Sequence, residues 1–173
     1  MLDYFTEFIV KKKKDAKDIT IIVLLLLAGL AFSYFAFPFV LLLQPFGQII
    51  FLAIAAAWWA IVVLIINRNI EYEYIVTNGE IDVDQITARR KRKRLITVPS
   101  REIELIAPIS EQSAVFEGKV IDASVGKNTE NLYFLLTTKD GVKTKILFNP
   151  SPKMLKIFLK FRPQNVKASD LDA

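Results

Sequence analysis

Residues 72–83 read YEYIVTNGEIDV, two runs of alternating character closed around Asn78-Gly79. Successive side chains on a strand point to opposite faces, so each run offers one face to a core and one to water. Asn-Gly tolerates the positive φ that a two-residue hairpin turn requires at both central positions, so the stretch predicts an antiparallel hairpin. Strand-like pieces continue downstream. RLITVPSREIELIAPI (94–109) supplies two, broken at Pro99, and AVFEGKVIDAS (114–124) another. NLYFLLTT and VKTKILF, joined by KDG, make a second hairpin over 131–148. PSPKMLKIFLKF (150–161) then places Met154, Leu155, Phe158 and Phe161 on one helical stripe. Asn149 or Ser151 can cap that helix, and Pro163 ends it.

Upstream the period is lost. Residues 19–43 and 49–66 are uncharged apolar runs joined by Gln44-Pro45-Phe46-Gly47-Gln48. About 20 apolar residues cross a hydrocarbon core, so both runs are long enough to span, and the helix-breaking link predicts a tight helical hairpin. Pro38 would kink or end the first helix. The first run is too long for a signal peptide and a second span follows at once, which argues against cleavage. Ala53 and Ala57, with Ala56 and Ala60, form small-xxx-small pairs suited to packing near Ala28 and Gly29 of the first span, or to a second copy. Ahead of the spans, Leu2, Phe5, Phe8 and Ile9 have helical spacing, which predicts a short interfacial helix or a frayed end.

Composition narrows the chemistry. The 173 residues are 53% hydrophobic, carry a net charge of +5, and include neither cysteine nor histidine. A thiolate nucleophile, a disulfide framework, a Cys/His zinc site and a histidine base are all excluded. Several carboxylates lie two apart on strands, such as Glu80, Asp82 and Asp84, but strand alternation explains that spacing without a metal. No enzyme activity and no cofactor are expected.

Charge distribution sets orientation. Lys11, Lys12, Lys13 and Lys14 precede the first span, Arg68 follows the second, and the connecting turn has no cation. The positive-inside rule then predicts a multi-pass protein of the cell membrane with both termini cytoplasmic. The densest charge is Arg89, Arg90, Lys91, Arg92, Lys93 and Arg94. Near an anionic bilayer each such cation contributes about 1 kcal/mol, so this run and Lys11–Lys14 are candidate contacts for anionic headgroups. Cross-strand pairing with Glu80, Asp82 and Asp84 is the competing use. Nucleic acid is disfavoured, because no aromatics are interleaved and no groove-reading helix is present.

YEYIVTNGEIDV and the hydrophobic-Pro-x-x-x-Ile element at Val98, Pro99 and Ile103 resemble small bacterial two-span membrane proteins with a pleckstrin-homology-like (PH-like) domain. The resemblance covers roughly residues 19–162. It implies a split β-barrel of about seven antiparallel strands capped by a C-terminal helix, used as an interaction platform. Eukaryotic phosphoinositide-binding members of the PH-like class put cations around the loop joining the first two strands. Here that loop has none, so inositol-phosphate binding is not implied.

The expected organisation is a basic N-terminal segment (1–18), a two-helix transmembrane hairpin (19–66), a cytoplasmic PH-like domain (67–163) and a disordered tail (164–173). The expected role is a non-catalytic membrane scaffold whose basic cluster docks on anionic lipid. Strand edges or the helix-barrel groove would be open to a protein partner. The alternative is a structural subunit of a larger membrane complex assembled through the hairpin, with the basic cluster serving topology and cross-strand pairing.

Overall fold

The computed structural model describes residues 4–43, 45–111, 116–126, 129 and 131–167. The described residues up to Lys13 and from Ile70 onward form one compact unit, and Lys14–Asn69 form a second.

The helical unit holds α1 (Ala16–Leu42) and α2 (Gly47–Ile66), both long and apolar enough to cross a membrane. Pro38 neither ends nor replaces the first helix, which continues a full turn beyond it. The turn between them is tight because Gly47 has no side chain: a Cβ there would lie 2.0 Å from the Val40 carbonyl oxygen. Arg68 closes the open end with a 3.1 Å ion pair to Asp18 in the first turn of α1.

The described residues of the other unit form eight strands in two four-stranded sheets. The first sheet has the order β1 (Phe5–Lys11), β2 (Ile70–Thr77), β3 (Glu80–Thr87), β4 (Lys91–Val98), antiparallel throughout. The second is built from β5 (Ile103–Pro108), β6 (Lys119–Asp122), β7 (Tyr133–Lys139) and β8 (Val142–Phe148), in the order β5-β7-β8-β6. In it β6 runs parallel to β8. Helix α3 (Pro152–Phe161) follows, with Ser151 as its N-cap accepting from Met154 N–H.

Three expectations are corrected here. Among the described residues the strands number eight rather than about seven, one pair is parallel, and no ladder closes the two sheets into a barrel. The N-terminal segment is neither an interfacial helix nor a frayed end over its described part. It is a strand paired with β2 from Phe5↔Thr77 to Lys11↔Glu71, so it belongs to the sheet domain rather than to a separate segment. Leu2 lies outside the described residues. Within the tail, Val166 bridges to Ile106 and Lys167 N–H bonds the Ile106 carbonyl at 2.8 Å, so order extends beyond residue 163. Residues 168–173 lie outside the described part.

Strand alternation sorts the first sheet. Tyr72, Tyr74 and Val76 point inward with Ile81, Val83, Ile96 and Val98, all at or below 6% exposed. They meet Ile103, Ile106, Leu135, Ile146 and Phe148 of the second sheet and Met154, Leu155, Ile157 and Phe158 of α3 in one core. Tyr74 is its polar keystone. Its hydroxyl donates to the Ala123 carbonyl and accepts from Asn149 N–H at 3.3 Å, and its ring meets Phe148 edge-on at 5.8 Å. Burial pushes this phenol well above its usual pKa, so the donor proton stays in place. Asn149 does not cap α3. Its side chain instead accepts from Val125 N–H at 2.7 Å and donates to the Asn131 carbonyl at 2.8 Å.

Candidate anion-docking surface

The outer face of the first sheet carries the charge. Glu71 and Glu73 of β2, Asp82 and Asp84 of β3, and Arg92 and Arg94 of β4 share one parity in the pairing register. A register shift at Val83/Asp84 places Asp84 opposite Arg94. Arg94 grips Asp84 and reaches Asp82 at 2.8 Å, while Arg92 pairs with Glu73 and lies 3.9 Å from Asp84. Arg89 bonds Glu71 at 3.1 Å. Glu73 and Asp84 are each 1% exposed, although they sit on the outward face, and the half-exposed arginines pair with both of them.

Three of the six cations therefore have partners in the sheet. Arg90, Lys91 and Lys93 are exposed and form no ion pair among the described residues. Lys91 and Lys93 stand opposite Thr87 and Gln85, on the parity opposed to Arg92 and Arg94. They are presented by an unusual turn. Ala88 and Arg89 both adopt φ of 55°, and Arg90 N–H bonds the Thr87 carbonyl at 3.1 Å. Neither residue is the Asn or Gly that such a turn favours, so the tip stores about 1 kcal/mol or more per residue.

The buried carboxylates make a prediction. Burial raises the pKa of Glu73 above 4.5, a hydrogen bond with Glu7 of β1 raises it further, and Arg92 opposes both, with Glu7 and Asp84 adding like charge. A raised folded pKa means the folded chain binds more protons than the unfolded chain above about pH 4.5. Its contribution to stability is therefore largest in acid and is lost as pH rises through the folded value. Glu73→Gln removes that slope, so the variant should gain on wild type between about pH 4 and about pH 8. Urea unfolding of both chains across that range checks it, and a constant difference would refute the assignment.

Lys11 through Lys14 do not act as one cluster. Lys11 ends β1 opposite Glu71, Lys12 N–H bonds the Ile70 carbonyl at 3.0 Å, and Lys13 N–H bonds the Val125 carbonyl at 2.7 Å. Lys14 is exposed and begins the helical unit.

In that unit the alanine seam is corrected. Ala53, Ala56 and Ala60 are exposed and Ala57 is half-buried. The helices meet instead where bare Gly29 receives larger side chains: a Cβ on it would lie 2.7 Å from Ile61 Cδ1 and 3.4 Å from the Trp58 ring. Trp58 Nε1 also donates to Ser33 Oγ at 2.9 Å across the pair. Small-residue spacing points to close approach, but it does not reveal which face a tryptophan and serine will join.

These features define a class: a β-sheet domain of PH-like character whose first two strands are separated in sequence by a pair of long apolar helices. The chain matches the family model described as "Bacterial PH-like domain (DUF6106)" over residues 2–168, and it belongs to that family. The match runs through both helices and the N-terminal strand as well as the two sheets. No curated protein and no solved structure matches the chain.

Proposed function

We propose that this protein is a non-catalytic scaffold of the bacterial cell membrane, anchored by α1 and α2 and presenting its PH-like domain on the cytoplasmic side. The observation that carries the anchoring is the pairing of β1 with β2. One strand precedes the helical pair and the other follows it, so both belong to one folded body on one side of a bilayer. Two crossings, out and back, satisfy that constraint and a single crossing does not. Lys11–Lys14, Lys17 and Arg68 at the outer ends of the helices favour the cytoplasm for that side.

Docking on anionic headgroups then falls to Arg90, Lys91 and Lys93, since Arg89, Arg92 and Arg94 are engaged with carboxylates. Three free cations are worth about 3 kcal/mol near an anionic surface, enough to orient a tethered domain. The test uses the full chain in vesicles, zwitterionic or containing phosphatidylglycerol, followed by hydrogen exchange. Amides of residues 88–93 should exchange more slowly in the anionic vesicles at low salt. The difference should vanish with Arg90, Lys91 and Lys93 changed together to Gln. Equal exchange in both lipids would sink the docking role.

The second reading, a subunit of a larger complex, draws on exposed Ala53, Ala56 and Ala60, which leave a smooth outer strip on α2. Crosslinking in native membranes would then yield one dominant partner at fixed stoichiometry.

A further inference from the structure

Strand β1 is an edge. It pairs with β2 on one side and, among the described residues, has no strand on the other. Asn78 N–H bonds the Tyr4 carbonyl at 2.9 Å and Lys12 N–H bonds the Ile70 carbonyl at 3.0 Å, so the even-numbered residues turn their backbone groups toward β2. In an antiparallel ladder that alternation turns the N–H and C=O groups of Phe5, Glu7, Ile9 and Lys11 outward, toward the open side.

A groove of about 450 Å³ lies at the start of this edge, between Tyr4 and Phe5 on one wall and Lys153, Lys156, Ile157 and Lys160 of α3 on the other. Tyr4 immediately precedes β1 and Phe5 opens it, so the groove meets the strand at its first residue. Its α3 wall is wholly cationic in its charge. Lys153 and Lys156 are exposed and have no ion-pair partner among the described residues, and Lys160 rests over the Tyr4 ring at 4.0 Å from its centre. Phe5 and Ile9 are 54% and 49% exposed beside the open backbone groups.

We propose that this edge accepts an extended acidic segment of a partner protein as an added strand. Main-chain bonds to Phe5, Glu7, Ile9 and Lys11 would supply the pairing, and carboxylates on one face of the segment would meet Lys153, Lys156 and Lys160. Side chains of one parity on such a strand recur about every 6.8 Å, and the three lysines cover about 10 Å of helix, so two or three alternate acids suffice. Apolar residues between them cover Phe5 and Ile9. A bilayer surface matches the charge, but it offers no backbone donors or acceptors in register, which is why a peptide is favoured.

The site is separate from the lipid-docking loop, and one experiment tells them apart. The probe is a labelled short peptide alternating glutamate with valine, titrated by anisotropy against the full chain in neutral detergent. We expect saturable binding that weakens with salt and falls about tenfold or more when alternate peptide nitrogens are methylated, which keeps the charge and removes the donors. Lys153→Glu with Lys156→Glu should cause a similar loss. Both positions are exposed, and at Lys153, in the first turn of α3, an acid favours the helix, so the variant keeps its fold. Changing Arg90, Lys91 and Lys93 to Gln should leave peptide binding unaltered. No binding, equal binding of a lysine-valine peptide, or insensitivity to methylation would overturn the proposal. So would protection of the Phe5–Lys11 amides by phosphatidylglycerol vesicles but not by peptide, which would assign the face to the bilayer.

Discussion

Tyr74→Ala will cost about 3–5 kcal/mol of unfolding free energy, the scale for removing a large aromatic from a packed core. Tyr74→Phe divides that cost. It keeps the ring and its edge-on contact with Phe148, but strips the hydroxyl from the Ala123 carbonyl and Asn149 N–H. Leaving buried groups without partners costs about 1–3 kcal/mol, so Phe should lose that share of the total, and the remainder of the Ala loss belongs to the ring. Urea unfolding of the full chain in detergent measures both. A Phe variant as stable as wild type would show that the hydroxyl bonds contribute nothing net.

Gly79→Ala should be the second most damaging change, for two separable reasons. Gly79 has a φ of 83°, and a Cβ on it would meet Phe161 Cβ at 2.8 Å and Ser100 Oγ at 3.0 Å. The left-handed backbone alone costs a side-chain-bearing residue about 1–3 kcal/mol, and displacing the end of α3 adds to it. Gly141 supplies the control. It occupies the equivalent hairpin position with φ 76° and has nothing within 4 Å of its would-be Cβ. Gly141→Ala therefore reports backbone cost only, and Gly79→Ala should exceed it by at least about 1 kcal/mol. Equal losses would mean that Phe161 yields freely.

Hairpins were legible in the sequence where turn chemistry was explicit. Asn78-Gly79 and Asp140-Gly141 both announce positive φ, and both turns adopt it. Ala88-Arg89 adopts the same conformation with no such sign, so the β3–β4 turn sits inside what reads only as a basic run. Strand β1 was hidden for a different reason. Its inward positions include polar Thr6, while Phe5 and Ile9 point outward, so its hydrophobic spacing imitates a helix. Its partner also lies beyond both apolar helices, out of reach of any local pattern. On the charged face, strand parity correctly suggested arginines against Asp82 and Asp84. It could not reveal Glu73, which enters through the neighbouring strand, nor exclude Glu80 and Arg90, which the register leaves out. The helix pair shows the same limit: length and apolarity were plain, whereas the Trp58–Ser33 bond depends on how two cylinders rotate against each other.

The separation of β1 from β2 has a consequence for synthesis. A ribosome adding about 5–20 residues per second needs several seconds to traverse the helical pair after β1 emerges. During that interval Phe5, Phe8 and Ile9 have no β2 to pair with, and the sheet cannot start. Completion of the sheet thus waits on synthesis of both helices and of β2 behind them. Until then the first strand is an orphan, free to enter the sheet of a neighbouring copy instead.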